Sequence, residues 1–134
     1  MFVQAIRGAT TVDYDKPDEV KLKTKKLLNT IIDKNDLCEE QIIYILFTVT
    51  DDIQSVYPAV GAREMGLLDT PLLCCQEMNV TDSLDRCIRI LMLIQRPQKA
   101  EVFHVYQENA VILRPDIIHK QKQRRSCLNR DETY

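Results

Sequence analysis

The spacing of apolar residues changes along this chain, and each change marks an element. Residues 2–10 read as a strand with β-favouring residues at both ends, and alternation puts Val3, Ala5, Arg7 and Ala9 on one face. Its Gly8-Ala9 step leaves room for close backbone approach. Asp15-Lys16-Pro17-Asp18-Glu19 then reads as a helix start, with proline in the first turn and acids near the positive end of the helix dipole. Val20, Leu27, Leu28 and Ile31 follow as a one-sided stripe among lysines, so an amphipathic helix ending near Asn35 is expected. Ile42 to Thr50 is a continuous apolar, aromatic and β-branched run, read as a strand buried on both faces and broken by Asp51-Asp52. Tyr57-Pro58 opens a short helix that stops at Gly66 and carries Arg63 near its end.

Pro71 to Cys75 is a short apolar strand, and residues 81–85 form a turn or a single helical turn. The longest strand is predicted from Cys87 to Gln95. It sets Cys87, Arg89, Leu91 and Leu93 against Ile88, Ile90, Met92 and Ile94. Val102 to Tyr106 and Ala110 to Leu113 read as two further strands around a tight turn at Gln107-Glu108-Asn109. The sum is an α+β domain: a mixed sheet of five or six strands with one long helix. One helix covers one face of such a sheet, and the other face is too apolar for water, which predicts burial against other subunits.

Composition narrows the class. The 134 residues suit one domain, assigned here to 1–116, followed by a basic C-terminal tail at 117–134. In that tail Lys120, Lys122, Arg124, Arg125 and Arg130 outnumber Asp131 and Glu132, so it reads as mobile, with a flap over an anionic ligand as the sharper alternative. The net charge of −2 argues against a general nucleic-acid binder. No apolar run approaches the ~18 residues of a membrane span, and the N-terminus lacks the pattern of an export signal. Five cysteines without a C-x-x-C pair, and two histidines far apart, favour reduced thiols in a cytoplasmic protein over disulfides or a metal site.

Candidate chemistry comes from arginines inside apolar runs. Arg7 lies in the first strand, Arg89 in the longest, and Arg114 closes Ala-Val-Ile-Leu-Arg-Pro. A guanidinium cannot become neutral, and burying one without a partner costs on the order of 3–5 kcal/mol. The apolar runs hold few acids, so part of the countercharge is expected to arrive with a ligand bearing carboxylates or phosphates. Beside these stand Arg63, Glu77 and Tyr106, with Tyr57 and Cys74 nearby in the pattern. No nucleophilic triad, glycine-rich phosphate loop or metal cluster is present in the pattern. Cations, one carboxylate, one phenol and apolar walls suit a reaction driven by electrostatic preorganisation.

Four blocks carry a resemblance: Arg-Gly-Ala-Thr-Thr-Val (7–12), Gln-Glu-Met-Asn-Val-Thr (76–81), Cys-Ile-Arg (87–89) and His-Val-Tyr with Ala-Val-Ile-Leu-Arg-Pro-Asp (104–116). In their order and spacing they resemble the monofunctional, AroH-type chorismate mutases, over roughly residues 2–116. The resemblance implies a homotrimeric pseudo-α/β barrel with its active sites at subunit interfaces. It implies rearrangement of chorismate to prephenate in phenylalanine and tyrosine biosynthesis, without cofactor, nucleic-acid or membrane partner.

By position, Arg89 resembles the arginine that contacts the ether oxygen and a substrate carboxylate. Arg7 and Tyr106 match binders of the side-chain carboxylate, and Glu77 and Cys74 the pair at the ring hydroxyl. Tyr57 stands for a phenylalanine packed on the substrate, and Arg63 for a cation at the neighbouring subunit's edge. Leu113 and Arg114 fall at the wall and base of the closing C-terminal segment. The chain departs at Val60, where a lysine is expected. The residue pattern also leaves open a trimeric binder of a small dicarboxylate and a trimeric hydrolytic deaminase of similar fold. Arg89 paired structurally with Glu77 or Asp85, and Arg7 and Arg114 as interface bridges, are the plainer readings of the same residues.

Overall fold

The computed structural model describes residues 1–116, and the basic tail, with both its mobile and its flap readings, lies outside them. The strands are β1 (Phe2–Thr11), β2 (Ile42–Val49), β3 (Leu72–Gln76), β4 (Cys87–Arg96) and β5 (Val105–Tyr106). Two α-helices, α1 (Pro17–Lys34) and α2 (Pro58–Glu64), complete the α+β domain. The sheet order is β3-β2-β4-β1-β5. β4 runs antiparallel to both β1 and β2, while β2–β3 and β1–β5 are parallel, so the sheet is mixed.

The alternation within β4 and β1 decides the layering. Ile88, Ile90, Met92 and Ile94 are buried together with Ile6, Ile45 and Phe47 beneath Val20, Leu27, Leu28 and Ile31 of α1. α1 starts as expected, with Pro17 in its first turn and Asp18 and Glu19 near the positive dipole end. α2 closes in a Schellman arrangement: Leu67 N–H donates to Ala62 O at 3.1 Å and Gly66 N–H to Arg63 O at 3.0 Å. Gly66 takes φ +103° there, which glycine adopts without strain.

Five expectations need correction. Ala110 to Leu113 is not a strand: Glu108–Ile112 forms a 3₁₀ helix, with Ala110 buried against Ala9 and Cys87. That turn also replaces the tight turn expected at residues 107–109. The strand expected from Val102 shrinks to Val105–Tyr106, because side chains rather than a ladder hold the segment before it. β2 is not buried on both faces within one chain, since Tyr44 is exposed and Leu46 and Thr48 are half-buried.

The arginines are the fifth. Arg7 and Arg89 are exposed and Arg114 half-buried in the single chain. They stand on or beside the sheet face that no helix covers, next to Val3, Leu91 and Leu73, which are 59%, 37% and 62% exposed. Neither Arg7 nor Arg89 is therefore desolvated within this chain. The one buried guanidinium among the described residues belongs to Arg96, at 8% exposure.

Gly8 sets how closely α1 approaches the sheet. A Cβ at this position would lie 2.7 Å from Ile31 Cδ1 and 3.4 Å from Leu27 Cδ1. Gly8→Ala should destabilise the fold by about 1–3 kcal/mol, the usual scale of overpacking, in a denaturant melt monitored by circular dichroism. An unchanged midpoint would mean that Ile31 yields without loss.

Candidate active site

On the uncovered face, cross-strand pairing gathers the unusual polar residues. Arg89 on β4 stands opposite Ala9 on β1 and Thr48 on β2, and Arg7 stands opposite Leu91. β5 sets Tyr106 beside Ala9. Glu77 follows β3 directly, its backbone N–H donating to Val49 O at 2.7 Å, so the ladder carries it to the same end of the face. Arg7, Thr48, Glu77, Arg89, Tyr106, Leu113 and Arg114 thus line one cleft of about 400 Å³.

Within it Glu77 is doubly engaged. Thr48 Oγ1 donates to Glu77 Oε2 at 2.6 Å, and Arg89 Nε lies 3.5 Å from the same oxygen. The structural pairing of Arg89 with Glu77 therefore exists within the cleft. The Arg89 side chain remains 49% exposed, so the pair contributes little stability and leaves the guanidinium available to a ligand. Arg114 forks onto Asp116, with Nε–Oδ1 at 3.1 Å and Nη2–Oδ2 at 3.0 Å. Arg7 makes no ion pair within 4 Å of a described acid. Burial holds the Tyr106 phenol above its ordinary titration range, opposed by the nearby charges of Arg7, Arg114 and Arg89. Tyr106 is then a neutral hydroxyl donor among three guanidiniums. The cleft offers converging cations and one donor to an anion, with a single carboxylate among its lining residues.

Tyr57, Arg63 and Cys74 are not in this cleft. Cys74 points to the helix-covered side of β3, where the Ala59 backbone N–H donates to its thiol. Burial raises the Cys74 pKa, while the charge of Arg63 opposes that rise. Tyr57, at the start of α2, and Cys74 line a second cleft of about 610 Å³ with Thr50, Gln54 and Pro58. One chain therefore carries two separate groups of the expected residues, and Glu77 and Cys74 do not meet within it. Thr48 went unread in the sequence, although its position as the polar member of an apolar strand face, opposite Arg89, is the signal that marks it.

Comparison with known proteins follows the same residues. Residues 3–117 match the profile of Chorismate mutase type I. The chain belongs to the type I chorismate mutase family. It is 43% identical over 120 residues to Chorismate mutase AroH of Bacillus subtilis (strain 168), covering 87% of this chain and 94% of that protein. Chorismate mutase AroH of Thermus thermophilus is 42% identical over 118 residues, covering 86% and 96%. The solved structure of a chorismate mutase from Clostridium thermocellum superposes with a TM-score of 0.79 at 43% identity. It covers 81% of this chain and 98% of its own. Membership in the chorismate mutases thus rests on nearly the whole described domain, arginine face included.

His104 supports the edge of that face at β1. Its Nδ1 accepts the Arg7 backbone N–H at 2.9 Å, in the place where a strand carbonyl would otherwise stand. Burial lowers the His104 pKa below the ordinary 6.5, and the charges of Arg7 and Arg114 lower it further. A base whose folded pKa is depressed binds protons more readily when unfolded. Its contribution to stability is thus complete above its ordinary pKa and is lost as pH falls through the folded value. The melting temperature should drop more steeply between about pH 7 and 5 in the natural sequence than in His104→Gln. Identical slopes would remove His104 as a source of the pH dependence.

Proposed function

We propose that this protein rearranges chorismate to prephenate, and that the cleft of Arg7, Glu77, Arg89 and Tyr106 is where the reaction occurs. The observation that carries the reading is the convergence of Arg7, Arg89, Arg114 and the Tyr106 phenol on one cleft in a chain of this family. Chorismate is a dianion, and guanidinium forks fit its carboxylates. Held at both carboxylates, the molecule adopts the folded, chair-like geometry that free solution rarely populates.

The reaction is an isomerisation. The ether C–O bond breaks ahead of formation of the new C–C bond, so negative charge grows on the ether oxygen and positive charge on the ring. Arg89 faces the first and Glu77 the second, with Thr48 holding the Glu77 carboxylate in place. Nothing is added to or removed from the substrate, and neither a covalent intermediate nor a proton transfer is required. Arg7 and Tyr106 hold the side-chain carboxylate, and Leu113 and Arg114 bound the cleft.

The second group, Tyr57, Arg63 and Cys74, completes the site from a neighbouring subunit in a homotrimer. Support comes from the uncovered sheet face: Val3, Tyr44, Leu73 and Leu91 are too apolar to remain in water, and α1 and α2 leave that face open. Sedimentation equilibrium should give three chains per particle. Mixing Arg89→Ala chains with Arg63→Ala chains should recover activity that neither variant has alone, because some interfaces then join two intact halves. An active monomer, or no recovery on mixing, would refute shared sites.

Loss of chorismate followed by absorbance tests the reaction itself. A neutral isostere at position 89, citrulline, keeps the shape and most donors but loses the cation. It should lower kcat by at least ~10²-fold, the scale for removing one oxyanion-type donor. Substrate binding should weaken less, since the ether oxygen carries little charge before the bond stretches. Arg89→Lys should be nearly as damaging, because one ammonium cannot bridge two acceptors as a fork does. Near-normal kcat with a raised KM in either variant would make Arg89 a binding anchor and refute this mechanism.

A further inference from the structure

We propose that Arg96, with Asn35 and Gln4, is a positioning clasp that sets the placement of Tyr106 beside Arg7 in the cleft. The inference rests on the reading of that cleft as the chorismate site. Arg96 lies seven residues along β4 from Arg89, about 24 Å at the usual strand rise, and so acts at a distance from the reacting atoms.

The buried Arg96 guanidinium reaches oxygens on three different elements. Nε donates to Gln4 Oε1 of β1 at 2.9 Å, Nη1 to Asn35 O at the end of α1 at 3.1 Å, and Nη2 to Glu101 O at 3.4 Å. The last belongs to the segment that joins β4 to β5. Gln4 and Asn35 grip the same segment. Gln4 Nε2 donates to Ala100 O at 2.7 Å. Asn35 Nδ2 donates to Phe103 O at 2.9 Å, and Phe103 N–H donates back to Asn35 Oδ1 at 2.8 Å. Asn35 is itself buried, at 3% exposure, and its amide stands in for a strand partner to Phe103.

This grip matters because β5 is only two residues long, paired to Gly8 and Ala9. A ladder so short does not hold its own register. The segment leaving the clasp at Phe103 delivers His104, whose ring receives the Arg7 N–H, and then Tyr106. The placement of Tyr106 therefore depends on where residues 100–104 are fixed, and His104 ties the same segment to the backbone of Arg7, which the β1–β4 ladder holds. A buried cation bound to oxygens of three elements suits this task, since a shorter or singly bonded side chain cannot span them.

The test is steady-state kinetics with amide hydrogen exchange on Arg96→Gln and, as the gentler change, Gln4→Ala in the full-length chain. Misplaced carboxylate binders weaken ground state and transition state alike. Arg96→Gln should therefore raise the chorismate KM about tenfold, short of the ~10²-fold that an ångström of misplacement can cost, with kcat changed less than about twofold. Exchange at residues 103–107 should quicken, and Gln4→Ala should show the same split at smaller amplitude. In a Tyr106→Phe background the KM effect of Arg96→Gln should shrink, as coupled residues require.

Full additivity with Tyr106→Phe would overturn the proposal, as would faster exchange with unchanged KM or a loss confined to kcat. If Arg96→Gln does not fold, Gln4→Ala decides by the same criteria. Absence of chorismate turnover in the natural sequence would overturn only the functional reading. Unchanged protection of residues 103–107 in the folded variants would still refute the clasp.

Discussion

The antiparallel ladder between β1 and β4 is the constraint on which the rest of the structure depends. It joins all ten residues of each strand, from Phe2 opposite Arg96 to Thr11 opposite Cys87. A strand has two faces, and the ladder commits one from each to α1 and the other to the open side. A one-residue slip would send Ile88, Ile90 and Met92 outward and bring Arg89 under the helix. The burial of aliphatic side chains under α1 therefore also fixes the direction in which the arginine points. Core and site are decided by the same register.

The edges of the sheet complete the cleft by different means. On one side β2 pairs with β4 and carries Thr48 to Arg89, while β3 adds Glu77 past its end. On the other side the edge is short and depends on side chains: His104 replaces a ladder acceptor, and Asn35 pairs with Phe103 as a strand would. The site is rigid where the sheet is deep. Where the sheet is thin it is held by buried polar groups, which are specific but costly to disturb.

Charge is distributed in accordance with this plan. Lys21 and Lys25 pair with Glu64, and Lys23 and Lys26 with Glu108, on exposed surfaces where such pairs contribute little stability. The cations of the cleft are less fully matched. Arg89 shares one carboxylate with Thr48, and Tyr106 adds a neutral donor. Under the proposed reading, the surplus positive charge of the cleft suits a dianion.

Much of this was legible in the order of residues alone. The spacing within α1 and the alternation within β4 were legible because each buries a face, and β2, α2 and β3 were marked by apolar runs and by proline and glycine at their ends. Arg89 stood out as the one charge in the longest apolar run, and the blocks around Arg7, Glu77 and Tyr106 placed the chain beside its family. The sequence could not show that Ala110–Leu113 coils into a 3₁₀ turn, since a short apolar run has no period long enough to separate coil from strand. Nor could it show that Arg7 and Arg89 stand exposed while Arg96 is buried. Solvation depends on which face α1 covers, and that follows from pairing between residues some 90 positions apart. Finally, Cys74 and Glu77 lie three residues apart in the chain yet belong to different clefts. The pairing of β3 with β2 decides that separation, because it turns Cys74 toward the helix-covered side and carries Glu77 to the open face beside Thr48.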